Sequence, residues 1–210
     1  MPDTASHILH SGIPPAVPHN KASLRNVFKK HRRTLAAADV FSANAIITAE
    51  LLRLPMLQNA QTIFSYITIQ NEVDTCPTIN ELLARGVNVV APPVDQALEL
   101  HETVHFVYRG DPALNGALPP RAVTPDTSAA LDLSDIDLFI VPGIVWDVRG
   151  YRIGFGGGYF DWLLSHARPD AQILGLAYEW QILEELPIDP WDRPVHDLLT
   201  EKRLIHCPRP

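Results

Sequence analysis

Apolar positions along the chain fall into two periodicities. Over residues 21–35, Leu24, Phe28 and Leu35, helped by Val27, recur near 3.6, which predicts an amphipathic helix. Lys21, Arg25, Lys29 and Arg32 fall on a neighbouring, basic face of that helix. A second helix is expected over about 42–53, with Ser42 at its N-cap and Pro55 just past its end. TIFSYI, from Thr62, is rich in β-branched and aromatic residues and reads as a strand. TCPTINELLARG has helix punctuation at both ends: Thr75 as cap, Pro77 in the first turn, Gly86 after the last. VNVVAP, HFVYR, DLFIVP, ILGLAY and RLIH read as further strands, residues 159–166 as a helix and WQILEEL as a short helix. Residues 111–135 show no period and read as a long loop.

Several of these strands are apolar throughout rather than alternating. Strands buried on both faces have that pattern. The expected fold is therefore α/β: a three-layer α/β/α arrangement with a mostly parallel central sheet and helices on both faces. A proline- and histidine-containing stretch at 1–20 reads as a flexible extension, and 21–210 as a single α/β domain.

Composition narrows the function classes. The 210 residues are 46% hydrophobic and 20% charged, an ordinary globular balance. The formal charge of −7 argues against a bulk nucleic-acid binder. No apolar run approaches the roughly 18–20 residues of a membrane span, and the first residues do not resemble a secretory signal. Two cysteines, Cys76 and Cys207, make neither a disulfide framework nor a metal cluster and fit a reducing, cytoplasmic setting. Cys76 is expected to be a core thiol.

The candidate chemistry centres on RIGFGGGYFD, Arg152 to Asp161. Three consecutive glycines cost roughly 0.5–1 kcal/mol each inside a regular element, so a special geometry is implied. They lie between a buried strand and a predicted helix, where α/β sheets bind ligands and helix N-termini attract phosphate. Arg152 could add a planar fork of donors. Asp161 could hold Mg²⁺, which favours phosphate oxygens with one or two carboxylates. The spacing fits neither the dinucleotide fingerprint nor a Walker loop, so a glycine-rich turn without a ligand stands beside the phosphate reading. An aromatic, arginine-containing patch for RNA is a third reading.

Taken whole, VPGIVWDVRGYRIGFGGGYFDWLL resembles the signature of the 5-formyltetrahydrofolate cyclo-ligase family, also called 5,10-methenyltetrahydrofolate synthetases. Lys21, Leu24 and Arg25 are similar to that family's N-terminal K-x-x-L-R helix, and Glu72-Val73-Asp74-Thr75 to its Glu-Val-Asp-Thr segment. PWDRPVHDLLTE is similar, more loosely, to its C-terminal segment. The resemblance implies ATP-driven ring closure of 5-formyltetrahydrofolate to 5,10-methenyltetrahydrofolate, with ADP and phosphate released. Both nucleophiles then belong to the substrates, and the protein's task is positioning and charge stabilisation.

Carried over by motif, Lys21, Ala22, Ser23, Leu24 and Arg25, with Arg152, Ile153, Gly154, Phe155, Gly156, Gly157, Gly158, Tyr159 and Phe160, would bind the nucleotide. Arg152 and Asp161 would be catalytic. Ile67, Glu72 and Tyr159 would bind the folate, Glu72 by accepting from the pterin's N–H donors. Asp161 would be a Mg²⁺ ligand, with Asp192 as a second. The implied partners are ATP, Mg²⁺ and a folate, without nucleic acid or membrane, for a monomer or weak dimer. Trp146 and Asp147 read as structural.

This chain departs from the pattern at four places. Phe155 stands where the family often has Arg, and Phe160 replaces a Tyr. His196 occupies the place of a second metal-binding Asp, which leaves Asp192 or Asp197 to take over or the ligand missing. ALPPRAVTPD lacks an expected aromatic near Pro120. A nucleotide-binding protein with a different substrate, or without catalysis, is the alternative these departures suggest.

Overall fold

The computed structural model describes residues 20–92, 106–108 and 133–208. The expected extension at 1–20 lies outside these except for Asn20. Most of the 111–135 loop, with the missing aromatic near Pro120, lies outside them too.

Local chemistry explains where the helices begin. α1 (Lys21–Thr34) is capped by Asn20, whose side-chain oxygen accepts from Ser23 N at 2.8 Å. α2 (Ala37–Leu51) starts earlier than its sequence suggests. Ser42 lies inside it, not at its cap, and its hydroxyl donates back to Ala38 O at 2.9 Å, the usual way a serine is satisfied within a helix. Pro55 opens a short α3 (Pro55–Asn59). α4 (Cys76–Ala84) is capped differently from the expectation. Thr75 turns its hydroxyl to Tyr66 O at 2.8 Å, and Asp74 Oδ1 accepts from Cys76 N at 3.0 Å instead. α5 (Tyr159–Ser165) follows the glycines.

The strands are β1 (Thr62–Ser65), β2 (Asn88–Ala91), β3 (Phe106–Tyr108), β4 (Leu138–Val141), β5 (Val145–Asp147), β6 (Arg152–Ile153), β7 (Gln172–Leu176), β8 (Ile182–Leu183), β9 (Asp197–Leu199) and β10 (Leu204–His206). Seven form the main sheet, in the order β10-β9-β7-β4-β1-β2-β3. Its five central strands run parallel, and β3 and β10 pair antiparallel at the edges. β6, β5 and β8 make a smaller sheet. WQILEEL is not a helix beyond the single turn Glu179–Gln181. Its Ile182 and Leu183 pair with β5, while the Gln181 amide donates to Gly143 O and Ile144 O at 3.1 and 2.9 Å. β9 was not anticipated as a strand.

Each central strand buries both faces, by strict alternation. Ile63, Val89, Leu138, Ile140 and Leu174 join the cluster formed with Leu24 and Phe28 of α1, Ile47 of α2 and Leu82 of α4. Phe64, Val90, Phe139, Val141 and Ile173 join the opposite cluster with Leu163 and Leu164 of α5. This is the expected three-layer arrangement. Among the described residues no single helix is long and apolar enough to cross a membrane. Cys207, not Cys76, is the buried cysteine; Cys76 sits in the first turn of α4, where its side chain meets solvent.

Trp146 is fully buried and lies where a side chain on Gly175 would fall: an added Cβ would approach its ring to 2.5 Å and Leu198 to 2.7 Å. Gly175→Ala is therefore expected to cost about 1–3 kcal/mol. For a chain of this size that is roughly a 2–12 °C fall in melting temperature, read by differential scanning fluorimetry.

The chain order creates a crevice. From β1 it passes to β2 on one side, and the strand on β1's other side is β4. Ligands in open parallel sheets bind beyond the carboxyl ends of strands at such a reversal. Tyr66 and Ile67 follow β1 there, and Pro142 and Gly143 follow β4.

Candidate active site

A cavity of about 460 Å³ opens at this reversal. Lys21, Arg25, Ile67, Glu72, Arg152, Asp161, Asp192 and the run from Ile153 to Phe160, all expected at a site from the sequence, line it. Of the predicted residues, Ala22, Ser23 and Leu24 do not. Leu24 is a core residue, and Ser23 contributes its N–H to the Asn20 cap.

The glycine run forms a loop around the cavity. Gly156 has φ +109° and Gly158 φ +69°, left-handed conformations that favour glycine. A Cβ on Gly154, Gly157 or Gly158 would meet no atom within 4 Å, so the bare backbone faces open space. α5 is only seven residues long. The loop backbone and the neighbouring cations, more than a helix dipole, are therefore what an anion here would meet. Within RGYRIGFGGGYF, Tyr159 is buried and Phe155 is exposed.

Arg25 joins α1 to the loop, with its Nε donating to Gly154 O at 2.7 Å. Its guanidinium has no carboxylate partner among the described residues, which leaves its outer nitrogens for a ligand. Lys21, one turn earlier, is paired with Asp189 at 2.6 Å and with Asp192. Burial works against its charge, but the two carboxylates outweigh this and raise its pKa. Arg152 lies beneath the loop. It donates to Asp161 Oδ1 at 3.0 Å and to Arg193 O at 2.8 Å. Burial lowers its pKa, with Asp161 the first influence in the other direction. Phe155 packs under two cations of α1, with Lys29 Nζ 4.7 Å and the Arg32 guanidinium 5.8 Å from its ring centre.

At the other end stand Tyr66, Ile67, Ile69 and Glu72. Glu72 is 5% exposed, and its Oε2 accepts from Ile69 N at 3.2 Å. Burial pushes its pKa up to about 7, with Arg32 and that N–H pulling the other way. A carboxyl that holds its proton more tightly folded than unfolded stabilises the fold below its unfolded pKa. That stability is lost as pH rises through 7. Unfolding free energy is thus expected to fall by up to roughly 3 kcal/mol between pH 4.5 and 8 from this group. Urea titrations across that range check it, and Glu72→Gln should flatten the slope.

Seven lining residues were not legible as site residues in the sequence: Tyr66, Ile69, Pro92, Pro142, Gly143, Asp189 and Trp191. The last is 66% exposed. Pro-Trp-Asp beside a paired Asp189 is a legible signal only once Asp192 is known to face Lys21. Arg32, assigned to a basic face by its spacing, is instead 2% exposed and 3.8 Å from Glu72.

A metal fits here only with help. Among the described residues no group of three or more His, Cys, Asp or Glu is arranged around one point. Mg²⁺ usually takes one or two carboxylates and completes its shell with phosphate and water. Asp161 bonds Arg152 and Arg193 N through Oδ1 alone, and Asp192 bonds Lys21 and Asp189 N through Oδ2 alone. Each keeps its second oxygen for a cation. Asp197 does not line the cavity and bonds His206 at 2.5 Å, and His196 accepts from Ile173 N at 3.2 Å.

Comparison with known proteins gives one answer. The 5-formyltetrahydrofolate cyclo-ligase family matches residues 17–201. The chain is 28% identical over 185 residues to the 5-formyltetrahydrofolate cyclo-ligase of Haemophilus influenzae, covering 86% of this chain and 97% of that one. It is 26% identical over 180 residues to that of Escherichia coli K12, covering 85% and 98%. The NMR structure of Aquifex aeolicus 5,10-methenyltetrahydrofolate synthetase superposes with a TM-score of 0.70 at 29% identity, covering 89% of this chain and 92% of that one. With nearly all of the described residues inside the matched range, the chain belongs to the 5-formyltetrahydrofolate cyclo-ligase family.

Proposed function

We propose that this protein is an ATP- and Mg²⁺-dependent ligase that closes 5-formyltetrahydrofolate to 5,10-methenyltetrahydrofolate, releasing ADP and phosphate. Family membership supports the reaction. The observation that carries its assignment to this cavity is Arg25: a first-helix cation bonded to the glycine loop, with no carboxylate to neutralise it among the described residues.

The chemical obstacle is a poor electrophile, since the N5-formyl group is an amide. The formyl oxygen attacks the γ-phosphorus, the bond to ADP breaks, and the carbon becomes activated as an imine-like phosphate. N10 then attacks that carbon, its proton leaves to solvent, and phosphate departs with the C–O electron pair. Arg25, Arg152 and the backbone N–H groups of the loop hold the polyphosphate in line and stabilise its charge. Lys21 joins them when a phosphate displaces Asp189 and Asp192. Asp161 and Asp192 would hold Mg²⁺, which when bound would supply charge neutralisation for the transferred group. Ile67 and Tyr159 pack against the folate, and Glu72 accepts from its pterin N–H edge. Positioning of this kind can remove roughly 7–11 kcal/mol of a barrier.

Purified protein with ATP, Mg²⁺ and 5-formyltetrahydrofolate is expected to produce the near-ultraviolet absorbance of the methenyl product, and none without ATP. Calorimetric binding of ATP without any product would instead favour a nucleotide-binding relative with another substrate.

A further inference from the structure

Glu72 sits on a turn that directs it inward. Gln70 and Asn71 both have positive φ, 49° and 59°, a conformation uncommon for residues with side chains. The reversal returns Glu72 N to Ile69 O at 3.1 Å and closes Ile69 N onto the Glu72 carboxylate. The Asn71 amide reaches Arg32 O at 3.5 Å, so the turn rests on α1 at Arg32.

Arg32 does not line the cavity. Its guanidinium is covered by Phe155, and its Nη1 has no hydrogen-bond partner. That nitrogen lies 3.8 Å from Glu72 Oε1, an ion pair without a direct hydrogen bond. A buried Arg–carboxylate pair is rarely the most stable solution; apolar residues of the same volume often do as well or better. The pair thus has a use other than stability. We propose that Arg32 is the positioning residue for Glu72, favouring the ionised form of its carboxylate and turning it into the cavity so that a ligand's N–H edge meets an acceptor.

The inference rests on the reading of Glu72 as the group that accepts from the pterin. The other ionisable groups around it are Tyr66 after β1 and Tyr178 after β7, with Asp74 close to both. Tyr178 donates its hydroxyl to Glu72 O at 3.2 Å. Burial raises the pKa of both tyrosines, so they stay neutral. Arg32 supplies the positive charge that acts on Glu72, opposing burial.

The test has a ligand-free arm and a ligand arm. In the first, the Glu72 carboxyl is titrated by NMR, its signal assigned through Glu72→Gln. Arg32→Met should move the midpoint upward, and Arg32→Lys should return it most of the way. An unmoved midpoint overturns the inference. In the second, 5-formyltetrahydrofolate and ATP binding are followed by calorimetry. From a midpoint near 7, Arg32→Met should weaken the folate at pH 7 by about fivefold for the first unit of midpoint moved and about tenfold for each further unit. The loss should shrink by pH 9 and leave ATP unchanged. In a Glu72→Gln background, Arg32→Met should have no further effect on the folate. An equal loss in both backgrounds means a merely structural arginine and overturns the inference. The double variant removes both charges, so even if Arg32→Met alone fails to fold, its folate affinity can be set against that of Glu72→Gln, and a further loss there overturns the inference. A wild-type protein that ignores the folate would end the functional reading, while the NMR arm still decides the role of Arg32.

Discussion

Asp161→Asn is expected to lower kcat by roughly 10²–10³ while the chain remains folded. The amide oxygen can keep both hydrogen bonds that Asp161 Oδ1 accepts, from Arg152 Nη2 at 3.0 Å and Arg193 N at 3.2 Å. What disappears is the charge. Arg152 is buried and keeps Arg193 O as a second acceptor, so the loop geometry should survive. The proposed cation site, however, loses one of its two carboxylates, and the buried guanidinium loses its counter-charge. Steady-state kinetics over a range of Mg²⁺ concentrations, beside a melting curve, check this. A variant with wild-type kcat would remove Asp161 from the metal site and with it the proposed geometry of phosphoryl transfer.

Asp147→Ala should instead act on the fold, costing about 3–5 kcal/mol. Asp147 is fully buried between β5 and the turn into β6. It accepts from Arg149 N at 3.0 Å, Arg149 Nε at 2.9 Å, Arg149 Nη2 at 2.8 Å, Tyr151 N at 3.0 Å and Leu186 N at 3.0 Å. Truncation removes this acceptor from the buried Leu186 N–H and from the half-buried donors of Arg149 and Tyr151, and an unsatisfied buried donor costs about 1–3 kcal/mol. Total stability for a domain is only about 5–15 kcal/mol. A large fall in the urea midpoint at unchanged slope is the expected result; an unchanged midpoint would show that water replaces the carboxylate. The same turn carries Arg152 into the cavity, so activity should fall with the folded fraction. That separates Asp147 from Asp161, whose variant stays folded.

The departures from the family pattern acquire physical meaning in this frame. Phe155 does not simply remove a phosphate contact: its ring lies under Lys29 and covers Arg32. His196 is occupied with the backbone of β7 and Asp197 with His206, and of His196, Asp192 and Asp197 only Asp192 lines the cavity. Lys21 is held by Asp189 and Asp192, a pairing that a phosphate would have to displace under the proposed function.

Much of the fold was legible along the chain. Leu24 and Phe28 announce the buried stripe of α1, and the continuous apolar runs at β1, β2, β4 and β7 announce strands covered on both faces. Helix starts and short elements were less legible. Ser42 has the chemistry of a cap yet lies within α2, and Ile182 and Leu183 leave a helical pattern to pair with β5. In both cases tertiary packing outweighs a preference worth a few tenths of a kcal/mol to about 1 kcal/mol.

By itself, the sequence determined the alternation of helix and strand, the glycine loop and the residue types that could meet phosphate and pterin, because hydrophobic period and backbone freedom are local properties. Only the tertiary structure decided which charges face one another. Lys21 and its two carboxylates stand 168 and 171 residues apart, and Arg25 reaches a carbonyl 129 residues away. Such pairings depend on strand order and on burial, which change the worth of a charge several-fold and leave no periodic trace along the chain.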